Sequence, residues 1–197
     1  MVPDKFESLL EIVRSKLRML WADGDIGSPC HHGDKIKWSK GPGFSVIPYG
    51  LELGGVKPSP IVDVEPKNKK NCFKYYFDSD DISRSEIYGV SSTVIETEIY
   101  QVEGDGTFSV RFDEDGEAIR ASGVIYVNGL PYLSCRLEDD GEYWCYEYKC
   151  AERQVASIVV YAINSVPGTE IHVQRVDNIL TGLYFYNGAE KIYVYQV

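Results

Sequence analysis

The chain has 197 residues, is 44% hydrophobic and carries a formal net charge of −10, with 15 Tyr against 7 Phe and 3 Trp. That length suits one domain and that hydrophobic fraction excludes a disordered chain. The charge is uneven: residues 1–75 hold 12 Lys/Arg and 9 Asp/Glu, residues 76–197 hold 8 and 21, an acidic field that repels phosphate backbones and argues against direct nucleic-acid binding.

No run of 18 apolar residues occurs, so no transmembrane helix is expected. The opening "MVPDKFESLL" lacks the basic and apolar blocks of a signal peptide, and a cytoplasmic location is the expectation. Five cysteines without CxxC spacing read as reduced thiols rather than a disulfide framework. The expected organisation is a single domain over 1–197, with a helix over 1–22, a loop-rich segment over 23–70 and an antiparallel β meander over 71–197.

The helix is drawn by one apolar stripe, Phe6, Leu9, Leu10, Val13, Leu17, Leu20 and Trp21. Asp4 and Glu7 lie early, Arg14, Lys16 and Arg18 late, as the helix dipole favours. Between 23 and 70, Gly and Pro leave room for short strands only, near 44–47 and 61–64.

Beyond Asn71, Val, Ile, Tyr, Thr and Phe alternate with turn dipeptides about every ten residues. A turn on Asp115 and Gly116 sets Phe112 opposite Ile119, Val110 opposite Ala121 and Phe108 opposite Gly123. A three-residue loop over 128–130 sets Ile125 opposite Leu133 and Gly123 opposite Cys135. A turn on Asp140 and Gly141 sets Leu137 opposite Trp144, Cys135 opposite Tyr146 and Leu133 opposite Tyr148. One face then gathers the core, including Phe108, Val110, Phe112, Leu133, Cys135, Trp144, Tyr146 and Tyr148, while Cys145 points away from Cys135. Residues 151–163 fit a helix or a buried strand, and the β-branched run favours the strand. A loop at 187–190 pairs Phe185 with Ile192 and Leu183 with Val194, sending Tyr184, Tyr186, Tyr193 and Tyr195 to the opposite face. The fold class is α+β: an N-terminal amphipathic helix packed on a large, mostly antiparallel meandering sheet of eight to ten strands, barrel-like or two-layer.

Four features bear on function. Cys30, His31, His32 and Asp34 could supply metal ligands, or Cys30 a nucleophile activated by a histidine from elsewhere such as His172, but adjacent side chains converge poorly and a completing pair is missing; a polar loop is the preferred reading. The turns "FDEDGE" and "LEDDGE" belong at one end of the sheet, placing Asp113, Glu114 and Asp115 near Glu138, Asp139 and Asp140; they form a solvated tip, a docking surface or a calcium site, without the EF-hand pattern. Arg111 opposes Arg120, which calls for nearby carboxylates or a bound anion. The tyrosines Tyr184, Tyr186, Tyr193 and Tyr195 form either a second buried layer or a recognition patch.

The leading expectation is a non-enzymatic acidic binding protein, of inhibitor or immunity type, that neutralises a basic protein partner such as a toxin or nuclease, with no cofactor, nucleic acid or membrane. The alternatives are a barrel-like carrier of a small apolar ligand around Trp144, Tyr146 and Tyr148, and a metal-dependent enzyme centred on Cys30, His31 and His32.

Overall fold

The computed structural model describes residues 3–19, 35–163 and 168–197. A 3-10 turn, Asp4–Phe6, leads into α1 (Glu7–Met19). Phe6, Leu9, Leu10, Val13 and Leu17 are buried as the stripe requires; Leu20 and Trp21 lie outside the described residues.

Among the described residues twelve strands form one antiparallel sheet in sequence order. They are β1 (Lys35–Ser39), β2 (Phe73–Asp78), β3 (Asp81–Tyr88), β4 (Val94–Glu103), β5 (Gly106–Asp113), β6 (Ala118–Val127), β7 (Leu130–Glu138), β8 (Tyr143–Ala151), β9 (Gln154–Ala162), β10 (Thr169–Val176), β11 (Ile179–Asn187) and β12 (Glu190–Gln196). A single helical turn, α2 (Gly50–Leu53), stands between β1 and β2. The β-branched run over 151–163 is therefore a strand. The expected meander starts earlier than residue 71, because β1 pairs with β2 from within the loop-rich segment. Residues 44–47 form no strand, and the stretch 61–64 contributes only a bridge between Val62 and Trp38.

The sheet is open, with β1 and β12 at its ends, so the barrel expectation is corrected. It is nevertheless curled. Laid flat, eleven spacings of about 4.8 Å would separate β1 from β12 by about 53 Å. Yet only 13 residues lie between Ser39 on β1 and Leu53, whose helical turn α2 packs against β12, and that length reaches at most about 48 Å even when fully extended. The strands must wrap around residues 42–56.

Two layers result. On the outer face, α1 packs on Phe108, Val110, Phe112, Ala121, Leu133, Cys135, Leu137 and Cys145. On the concave face, Val46, Ile47, Tyr49 and Leu53 pack on Tyr100, Val124, Tyr146, Tyr148 and Ile158.

Register explains which side chains reach which layer. Both acidic hairpins close alike: Asp113 N–H bonds Glu117 O and Glu138 N–H bonds Glu142 O, with Gly116 (φ 83°) and Gly141 (φ 90°) left-handed. Each turn is thus one residue out of step with a two-residue turn. In the first hairpin a bulge at Arg111/Phe112 restores the step, so Val110 meets Ala121 and Phe108 meets Gly123 as expected, while Phe112 meets Ala118 instead of Ile119. The β7–β8 ladder has no such bulge. Leu137 meets Tyr143, Cys135 meets Cys145 and Arg136 meets Trp144, which corrects the expected pairing and moves Trp144, Tyr146 and Tyr148 to the concave face. The Cys135 and Cys145 sulfurs lie 3.0 Å apart beneath α1. Between β6 and β7 the turn has two residues, Asn128 and Gly129, both at positive φ, and a bulge at Ile125/Tyr126 yields the expected Ile125–Leu133 pairing.

Candidate functional site

The two acidic turns emerge side by side. They follow β5 and β7, which run in the same direction, and the Asp139 N–H donates to Ile119 O at 3.1 Å, tying the second turn to the strand that leaves the first. Their carboxylates divide into two sets. Asp113 Oδ1 accepts the N–H groups of Asp115 and Glu117, and Asp140 Oδ1 accepts that of Glu142, so these side chains shape the turns. Glu138 faces inward to Arg120 and Arg136 and is lost to the rim. Asp113, Glu114, Asp115, Glu117, Asp139, Asp140 and Glu142 form no ion pair among the described residues. Arg14 and Arg18 of α1 line a groove with Glu138, Asp139 and Gly141, so a basic edge borders the acidic one.

The tyrosine array lies three strands away on the outer face. Tyr184 contacts Tyr186 edge-on at 5.5 Å and Tyr193 at 5.7 Å, His172 stacks on Tyr184, and the Lys191 ammonium sits 3.7 Å from the Tyr184 centroid. Tyr186 is 55% exposed, so this is a surface cluster rather than a second buried layer. Tyr195 does not belong to it. A bulge at Leu183/Tyr184 pairs Leu183 with Tyr195 instead of Val194 and turns Tyr195 into the buried group with Ile171.

Cys30, His31, His32 and Asp34 lie outside the described residues. Among the described residues no group of three His, Cys, Asp or Glu side chains could hold a metal ion, and no helix is long and apolar enough to cross a membrane.

The concave face holds what the sequence reading missed. A cavity of about 260 Å³ lies between residues 42–51 and the sheet, lined by Glu98, Arg111, Arg120, Ser122, Arg136 and several aromatic rings. Arg111 does stand opposite Arg120, and carboxylates answer both. Arg111 donates to Glu98 from Nε and Nη2 and to Glu96 from Nη1, while Arg120 Nε donates to both Glu138 oxygens at 2.9 Å. Glu98 is thus no solvent-facing carboxylate; it is 7% exposed. Burial alone would raise its pKa, but the Arg111 charge and the hydrogen bonds from Ser109 and Arg111 prevail and hold it below the ordinary range. Burial also pushes the nearby Tyr146 hydroxyl up to about 12, keeping it protonated. The signal for this network was present as polar alternation, Glu96/Glu98, Ser109/Arg111, Arg120/Ser122 and Ser134/Arg136/Glu138, the complement of the apolar pattern on the same strands.

No protein-family model, curated protein or solved structure matches this chain.

Proposed function

We propose that this chain is a non-enzymatic binding protein, of inhibitor or immunity type, whose acidic rim docks on a basic protein such as a toxin or nuclease. The observation that carries this reading is the Asp139 N–H to Ile119 O bond, which sets two acidic turns against each other with seven carboxylates outside any ion pair among the described residues. Concentrated like charge on one rim raises the encounter rate with a cationic surface and disfavours acidic competitors. Tyr184, Tyr186 and Tyr193 would add an aromatic contact at the same end of the sheet, where β11 turns into β12. The test is capture from the native host at low and at high salt, with wild type and with the Asp139→Asn/Asp140→Asn double variant. A basic protein retained at low salt, released by high salt and retained less by the variant is the expected result. Retention that ignores both salt and the substitutions refutes the reading.

A further inference from the structure

We infer that the concave cavity binds a small organic acid, its carboxylate held by Arg120 and Arg136. Three arginines and one glutamate line the cavity, in a chain whose net charge is −10. The glutamate, Glu98, is already committed: Oε1 accepts from Ser109 at 2.7 Å and Oε2 from Arg111 at 2.8 Å.

The three arginines are not equivalent. Arg111 places all of its nitrogens on Glu96 and Glu98 and belongs to the scaffold. Arg120 spends only Nε, on Glu138. Arg136 lies 4.2 Å from the Trp144 ring centroid, and its buried Nε–H makes no hydrogen bond although Glu138 Oε1 is 3.1 Å away, because the oxygen is off the N–H axis. The outer nitrogens of Arg120 and Arg136 form no hydrogen bond among the described residues. These two side chains sit diagonally on β6 and β7, since Arg120 pairs with Glu138 and Ser122 with Arg136. They present two planar donor forks over one patch of sheet, and a carboxylate matches that geometry.

The remaining walls select the body of the acid. Phe44, Tyr100 and Tyr146 line the same space, and Phe44, 37% exposed and edge-on to Tyr100 at 5.4 Å, sits at the mouth. At about 260 Å³ the cavity exceeds an inorganic oxyanion several-fold and falls just below the roughly 300 Å³ where drug-sized sites begin. A carboxylate on a compact aromatic or branched body fits both limits. The site does not rest on the docking reading of the rim.

The probes are benzoate and 3-methylbutanoate, with inorganic phosphate and chloride at equal ionic strength as comparisons. In calorimetric titration of the whole chain we expect saturable one-site binding of at least one of the two acids, weakened ten-fold or more by Arg136→Lys or Arg120→Lys and unchanged by Arg153→Lys in the exposed β8–β9 turn. Because the lysine variants could fold poorly, the wild type supplies a second readout. The acid should shift the side-chain Nε–H resonances of Arg120 and Arg136 and quench or shift Trp144 emission, while leaving Arg111 in place. Binding of neither acid, affinity that the lysine variants do not change, response to phosphate alone, or equal shifts at all three arginines overturns the assignment.

Discussion

Strands β5 to β7 present two faces built on opposite plans from alternate residues of the same segments. Toward α1 they offer Phe108, Val110, Phe112, Leu133, Cys135 and Leu137, a dry layer with small Ala118 and Ala121 admitting the helix. Toward the concave side they offer Ser109, Arg111, Arg120, Ser122, Ser134, Arg136 and Glu138. The first face is held by burial, which is additive and tolerant of direction; the second by a directional network in which each buried charge depends on its partner. A fold that needed only stability could have filled both faces alike. Keeping one face charged costs stability and leaves the outer nitrogens of Arg120 and Arg136 without a hydrogen bond among the described residues.

The dry face should give the largest single loss. Phe112 is 1% exposed beneath α1, and Phe112→Ala should cost about 4 kcal/mol, read as a lower denaturant midpoint with an unchanged slope. A small loss would mean that α1 does not seal the core.

On the charged face, Glu98→Gln should cost about 3 kcal/mol at pH 7, since it leaves buried Arg111 with Glu96 alone. This loss must depend on pH. Glu98 is held below its ordinary pKa in the folded chain, so its charge stabilises the protein above the unfolded value of about 4.3 and ceases to do so as pH falls through the folded value. The gap between wild type and variant should be full at neutrality and close on acidification below about pH 4. A gap constant with pH would show that Glu98 acts by shape rather than charge.

A third substitution probes how closely α1 approaches the dry face. A Cβ built on Gly123 would stand 2.6 Å from Phe108 Cδ1 and 3.1 Å from Val13 Cγ2, against both the sheet and α1. Gly123→Ala should cost about 2 kcal/mol by overpacking, measurable as a fall in Tm.

The contrast between the faces also explains what was legible in the sequence. Apolar alternation gave the antiparallel meander, the helix and most of the outer core, because burial of one face leaves a period-two record. Register was legible only up to bulges. The first acidic hairpin kept its expected long-range pairing because the bulge at Arg111/Phe112 cancelled the extra residue of its turn; the second has the same turn and no such bulge, so every side chain of β8 changed sides. Nothing local in "LEDDGEYW" distinguishes it from "FDEDGEAI" in this respect. The concave cavity was hidden for a different reason. Arg111 opposite Arg120 was readable, and the expected pairing of Gly123 with Cys135 already put Arg136 on the same face, but nothing on the strands announces that residues 42–51 cover that face and enclose Glu98.

The rim should show the smallest effect on the fold and the clearest effect on association. In the Asp139→Asn/Asp140→Asn variant each asparagine keeps the Oδ1 acceptor that now takes a turn N–H from Asp140 or Glu142, so the melting temperature should move by less than about 2 °C. Two charges leave the rim all the same. Association with the basic protein retained by the wild type should slow several-fold at low salt, and its rate should depend less steeply on ionic strength. The two proteins should converge near 0.5 M salt, where screening shortens the reach of charge to about 4 Å. Glu138→Gln makes the complementary comparison: Glu138 is tied to Arg120 and Arg136 beneath the rim, so its loss should lower stability while leaving the salt dependence of association almost intact. If the two variants exchange these behaviours, the division between an inner charged scaffold and an outer charged surface is drawn in the wrong place. If the rim variant associates as fast as wild type at low salt, its carboxylates serve only to solvate the turns.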